Sequence, residues 1–537
     1  IPLKELSKKD RDWVRNNGPA LGAAGKKVGS RIVLRSYQTI VDDSVDLSRF
    51  LKQGWLAGAV PGFFVGLTGG KPLDGFDVSR PITITMYVDA KGEPTGNLVA
   101  VPVLGKDRFQ KTLNAVFERK NTPSGWGYEI GVAKRLWYVK PGEGYFLVAD
   151  SADLAAAAAA DPEAPAVVAD LTVESYATSI PDEVRQQTLA QIDEAVATIP
   201  VEGNAVKGEV VQMIHDVARS LNSDIDRITL QASLDRTTKA TDVSVAVRAR
   251  PSTPMAGVIA DYGALRPRFA GPGDDASVGW VGMSLPASAL VRELIRLNYG
   301  EAVVQMRKTV EKGRGQQGYE TAKKAVDRCE EQVQRLLKVS HYEQEVILGI
   351  EEGAGLSLVS RVNYDGAKDY LAAWLDIVKL AVPGDDIVKD ADGIVSVKLP
   401  VSNMAQAGIS SKHPLRALAT DDTLVFGIGC ADTKVMKAMV TGRGGSSPLP
   451  PLSTRIDVAR LWPAFVAANP VLLPLSDAVG PSGTLRAEVT PLSDGIELRV
   501  GADSSVLGLV GTVLEARGAM AMPGLPGGPG FPGAGEA

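Results

Sequence analysis

One structural unit returns along this chain: an apolar strand, a short turn and a helix, then a β-hairpin and a closing helix. A unit of this kind cannot bury its own hydrophobic face, so its return constrains the fold more than any single motif does. The first copy runs through "RIVLRSYQTIVDDSVDLSRFL", "PITITMYVDAKGEPTGNLVAVPVL" and "GKDRFQKTLNAVFE". In the second, "AVVADLTVESYATSI" leads to the hairpin "RITLQASLDRTTKATDVSVAVRARP", whose arms alternate apolar and polar residues, and to the helix "STPMAGVIADYGAL". The third passes from "VGWVGMSLPASALVRELIRLNYG" through "EQEVILGIEEGAGLSLVSRVNY" to "DGAKDYLAAWLDIVKLA", and the fourth from "STRIDVARLWPAFVAA" through "GTLRAEVTPLSDGIELRVGA" to "DSSVLGLVGTVLEARG". Period-two alternation gives the strands, and glycine, proline and aspartate mark the turns.

A smaller strand–strand–helix element follows copies one and three, so the chain reads as two similar halves. The break falls at Arg268 to Ala276, "RFAGPGDDA". The expected organisation is an N-terminal segment (1–30), a first half (31–270), a second half (277–517) and a Gly/Pro-rich tail (518–537). The tail places glycine at every third position from Gly524 to Gly533, too few triplets for a collagen helix, so it reads as a flexible or polyproline-like end. Copies two and three each carry a helical-hairpin insertion: "PDEVRQQTLAQIDEAVATI" with "KGEVVQMIHDVARSLN", and "EAVVQMRKTVEKG" with "GYETAKKAVDRCEEQVQRLLKV". The fold class is therefore α+β: internally duplicated antiparallel hairpins covered by helices, with two helical insertions and edge strands at both ends.

The net charge of −5 over 537 residues gives no basic surface, and so no reason to expect DNA, RNA or acidic lipid as a main partner. The apolar stretch Trp55 to Leu67, "WLAGAVPGFFVGL", is too short to span a bilayer and reads as core or a buried loop, with a membrane-touching or ligand-facing lip as the alternative. Cys329 and Cys430 are the two cysteines, which leaves one disulfide or two free thiols open and excludes a disulfide framework.

Catalytic, cofactor and metal-ligating sets are not expected. Three histidines occur. His215 with Asp216 lies in a helical insertion, where adjacent residues point apart. His341, Glu343 and Glu345 share one strand face, which admits a metal site, although a polar strand is the plainer reading. Ser284 in "GMSLPAS" lacks the second glycine of a nucleophile elbow. The clusters "GLTGGKPLDG" and "TGRGGSSPLPP" read as loops, and "GDDIVKDADG" (Gly384 to Gly393) as a polar turn without the ligand spacing of a calcium loop. Trp374 and Trp462 lie on helices that cover hairpins and are expected in the core.

The repeated order of strand and helix, then hairpin and helix, resembles that of uncharacterised bacterial cell-envelope proteins built of duplicated α+β modules. The resemblance implies export to the periplasm or the extracellular space, consistent with a start, "IPLKELSKKD", that fits removal of a signal peptide. The expected function is a non-enzymatic binding or scaffold role through protein partners or self-assembly. The alternative is a carrier of a lipid or other apolar ligand.

Overall fold

The computed structural model describes residues 27–520 except 90–91, 123–124, 131–134, 158–166, 168, 181, 198–204, 270, 272–276, 316–317, 352–354, 364, 382–383, 399–412, 431–432, 442–448 and 469–482. The glycine triplets of the tail from Gly524 to Gly533, most of the N-terminal segment, most of the break at 268–276 and the loop of "TGRGGSSPLPP" lie outside the described residues, while residues 518–520 continue the last helix.

Among the described residues, twenty strands form one antiparallel sheet. The first ten are β1 (Lys27–Leu34), β2 (Ile82–Val88), β3 (Pro94–Pro102), β4 (Glu118–Thr122), β5 (Gly125–Ile130), β6 (Arg135–Pro141), β7 (Tyr145–Ala149), β8 (Leu171–Tyr176), β9 (Ile225–Asp235) and β10 (Ala240–Ala249). The second ten are β11 (Ser277–Pro286), β12 (His341–Glu351), β13 (Gly355–Asn363), β14 (Ile387–Lys389), β15 (Val395–Val397), β16 (Leu415–Ala419), β17 (Thr423–Ile428), β18 (Leu452–Asp457), β19 (Thr484–Pro491) and β20 (Gly495–Asp503).

Their pairings run 4-5-6-7-3-2-1-8-9-10 through the first set and, from the far edge, 14-15-16-17-13-12-11-18-19-20 through the second. The two orders are the same, and β10 pairs with β20 to join them. The duplication read from the sequence is thus present strand for strand. A local two-fold axis passes through the pair Ser244 and Arg499, 255 residues apart. Two hydrogen bonds obey it: Ala249 N donates to Asp494 O and Ser504 N to Lys239 O, both at 2.9 Å.

Fourteen helices are described, of which the following bear on function. After β1 come α1 (Tyr37–Phe50) and α2 (Trp55–Thr68), and after β3 comes α3 (Lys106–Val116). α4 (Ala152–Ala157) follows β7, α5 (Asp182–Ala197) and α6 (Ala205–Asp224) form the first helical insertion, and α7 (Pro254–Ala264) closes the first half. In the second half α8 (Ala289–Ile295) follows β11, and α9 (Glu301–Lys312) and α10 (Tyr319–Leu336) form the other insertion, followed by α11 (Ala367–Ala381), α12 (Lys434–Thr441), α13 (Val458–Ala468) and the closing α14 (Ser504–Met520). Serine starts the helix after the first strand in both halves: Ser36 Oγ accepts from Thr39 N, and Ser288 Oγ from Val291 N.

Helices cover the outer parts of the sheet on both faces. Phe109 and Leu113 of α3 pack with Ile82, Val99, Val101 and Phe146, whereas Leu154 and Ala155 of α4 cover Val28, Tyr87 and Ala149 on the reverse. In the second half α11 covers Ala417 and Leu424, and α12 buries Met436 and Met439 against Trp280, Ile347 and Val359. Trp374 sits edge-on to Phe426, with ring centroids 5.5 Å apart, in the expected covering position. The stretch "GDDIVKDADG" is partly strand, since β14 occupies its middle; the turn follows, with Asp390 accepting from Asp392 N and Ile394 N.

The closing helices cross the axis. α7 packs against β11, β19 and β20 of the other half, and α14 against α1. The second contact is so close that a Cβ on Gly511 would lie 2.0 Å from the Leu51 carbonyl oxygen. Gly511→Ala must therefore displace one backbone from another. It is expected to lower stability by about 1–3 kcal/mol in urea unfolding.

Candidate functional site: an open apolar face

The alternating hairpin arms put aliphatic residues on one face of the joined sheet. Opposite one another in turn stand Val99, Ile84, Ile32, Val173, Leu230, Val245, Leu498, Val489, Leu452 and Met283, one from each of ten adjacent strands. A second row runs beside it through Leu34, Leu171, Ala232, Val243, Val500, Ala487, Thr454 and Val281. Sheet faces of this composition are ordinarily sealed by a helix layer. Here none of these residues is fully buried, and Leu498 and Val281 are 40% and 37% exposed.

α3 closes one end of the rows and α7 borders the middle, where Tyr262 Oη donates to the Val489 carbonyl at 3.5 Å. Burial pushes the Tyr262 hydroxyl up to about 12, so it remains a donor at any physiological pH. Between these borders the face is apolar and only part-buried, and we call it the trough. The reverse face at the axis is charged, with a cleft of about 420 Å³ lined by Asp242, Asp503, Arg486, Glu488 and Arg499.

The charged residues singled out in the sequence form a different kind of site. Glu343 and Glu345 do share a face, but both point at Arg361, which bonds Glu343 at 2.6 Å and Glu345 at 3.2 Å. Asn363 Nδ2 and the Arg268 amide donate to Glu343; Trp280 Nε1 and the Gly271 amide donate to Glu345. All four side chains of this core, Glu343, Glu345, Arg361 and Asn363, are buried. His341 contacts Ser340 instead, and no group of three or more potential ligands could hold a metal ion among the described residues.

Two buried carboxylates facing one guanidinium are tolerated because backbone and side-chain donors supply the remaining hydrogen bonds. Their effect is to fasten the chain from Arg268 to Gly271, which leads from the first half into the second, onto β12. Followed strand by strand from the axis, the first-half counterparts of Glu345 and Arg361 are Thr83 and Ala100, so the fastening is particular to the second half. Ser284 is fully buried and its hydroxyl has no hydrogen-bond partner among the described residues.

His215 joins the two arms of the first insertion: its Nε2 lies 2.5 Å from Asp193 Oδ1, and Arg219 bonds the same carboxylate. Asp216, its sequence neighbour, is 3.6 Å away. Cys329 and Cys430 are both free thiols, Cys430 buried and Cys329 pushed up in pKa by burial.

The stretch Trp55 to Leu67 departs from expectation. It is neither core nor buried loop but most of helix α2, with Pro61 inside it, and Trp55, Phe63 and Val65 are 68%, 63% and 57% exposed. Composition alone cannot show whether an apolar helix finds a cover.

No family model matches the chain, and no curated protein matches it. Among solved structures, crystal form III of TP0453 is similar over 49% of this chain and 100% of its own, at 10% identity and a TM-score of 0.18. That likeness is too loose to bear on fold or function.

Two outcomes follow for the buried charges. Arg361→Met leaves two buried carboxylates without their cation and is expected to cost about 3–5 kcal/mol in chemical denaturation. Glu345→Gln, whose amide oxygen can still accept from Trp280 and Gly271, should cost clearly less. Asp226 is buried with Oδ1 lacking a partner, and desolvation, opposed by Arg227 and Arg250, raises its carboxyl above the ordinary value. The folded state thus holds this proton more tightly than the unfolded one, and stability is lost as pH rises through the folded value. Asp226→Asn should be more stable than the parent at neutral pH, with the difference vanishing below about pH 4 in a pH series of thermal melts.

Proposed function

We propose that this is a non-catalytic binding protein whose open apolar face receives a lipid acyl chain or another apolar small molecule. The observation that carries the reading is the aliphatic row from Ile32 to Leu452, left part-exposed where an ordinary sheet would be sealed. A surface that offers aliphatic contact and few directional polar groups favours a chain-like apolar ligand over a polar substrate. Across the six central strands, β8 to β18, the trough is about 24 Å wide, room for an extended acyl chain. The buried charged cluster has its hydrogen-bonding capacity taken up by its own partners, which fits fastening better than chemistry. Export and kinship with duplicated cell-envelope proteins belong to the same proposal.

A protein partner is the second reading. It is favoured by the α9–α10 arm, where Tyr299 and Val304 are exposed beside a crevice of about 340 Å³ lined by Leu297, Val303 and Val333.

Native mass spectrometry of protein purified from its source separates the two. The expected result is a lipid-sized adduct on the monomer, lost in Leu498→Glu, whose side chain is exposed enough for the substitution to leave the fold intact. A defined oligomer without adduct, unchanged by Leu498→Glu, would replace the ligand-binding reading with the scaffold.

A further inference from the structure

Helix α2 is apolar all round: "WLAGAVPGFFVGLT" contains no charged residue. Such a helix is normally enclosed by a core or by a membrane. In this fold one side leans on α1, and the other presents Trp55, Phe63 and Val65. The exposed side carries Gly58 and Gly62, at which an added Cβ would meet nothing within 4 Å. At about 21 Å the helix is too short to cross a bilayer and long enough to lie along its surface.

The charges next to it in the sequence have one sign. From residue 47 to residue 73 the chain holds Arg49, Lys52 and Lys71 and no aspartate or glutamate. Lys52 Nζ bonds only Thr512 Oγ1 and Lys71 Nζ only the Ala115 carbonyl, so neither charge is neutralised by an acid among the described residues. The nearby acids are already engaged: Asp42 and Asp43 pair with Arg236, Asp46 with Arg49 and Arg236, and Asp74 with Arg108. An uncharged apolar rod bracketed by free lysines suits the boundary of an anionic bilayer, with rings at the acyl level and ammonium groups at the phosphates.

We infer that α2 docks the protein in the plane of an anionic lipid surface, at a site separate from the apolar trough. The test is co-sedimentation of the full chain with vesicles of phosphatidylglycerol and phosphatidylcholine, or of phosphatidylcholine alone. Binding should favour the anionic vesicles and weaken as salt rises. The double variant Trp55→Glu/Phe63→Glu should lose at least about tenfold in vesicle affinity with its circular dichroism unchanged.

As a check that does not depend on that variant, lipids brominated on the acyl chain should quench part of the tryptophan emission, and Trp55→Phe should remove that part. Absence of binding by the parent, equal binding by the double variant, or a parent dimer that the variant converts to monomer would each overturn the inference, the last by assigning the face to a second copy. Leu498→Glu should leave vesicle binding unchanged, so failure of the trough reading and failure of this one are told apart.

Discussion

Nine residue pairs between β10 and β20, from Ala240 with Asp503 to Arg248 with Gly495, turn two ten-stranded sheets into one. Each half would otherwise end in a strand whose backbone donors and acceptors lack partners, the position most prone to pairing with something else. The same pairing sets the register in which the aliphatic rows of the halves become continuous: Val245 meets Leu498 and Val243 meets Val500. It also brings α7 and α14 over the opposite half, so that each half supplies part of the other's cover. The trough and the crossed helices are consequences of that one ladder.

The halves share their topology and differ in chemistry. Where the second half has Glu345 and Arg361, the first has Thr83 and Ala100. The fastening of the chain at Arg268 and Gly271 therefore arose on a scaffold that does not require it. The apolar helix α2 likewise belongs to one half; the corresponding connection of the other half is the charged arm of α9 and α10, tied by Arg307 to Asp327 and Glu330.

Much of the fold was legible in the sequence, because period-two alternation and turn residues recur in one order. The alternation in "RITLQASLD" and "GIELRVGAD" even marks which residues share the apolar face. What it could not show is that the face stays partly open, since cover depends on where distant helices land. The Glu345–Arg361 pair was half legible: the spacing placed two glutamates on one side of a strand, while their cation was fixed only by the register of the next strand. The Trp55–Leu67 stretch misled for a plain reason, that uniform hydrophobicity describes what a segment avoids and not whether it finds shelter.

The long sequence separation of β10 and β20 has a kinetic consequence. Within each half the hairpins close over short loops and the longest pairings, Ser30 with Ser175 and Gly279 with Ile456, span fewer residues than the joining ladder, which must bring together segments 255 residues apart. Local contacts form first and distant pairings later, because the entropy of loop closure must be met before the distant contacts can offset it. The halves therefore gain structure before they meet, and during that interval β10 and β20 are bare edges of complementary register. At high protein concentration β10 of one chain can meet β20 of another in place of its own, so the feature that unifies the molecule is also its route to exchanged assemblies.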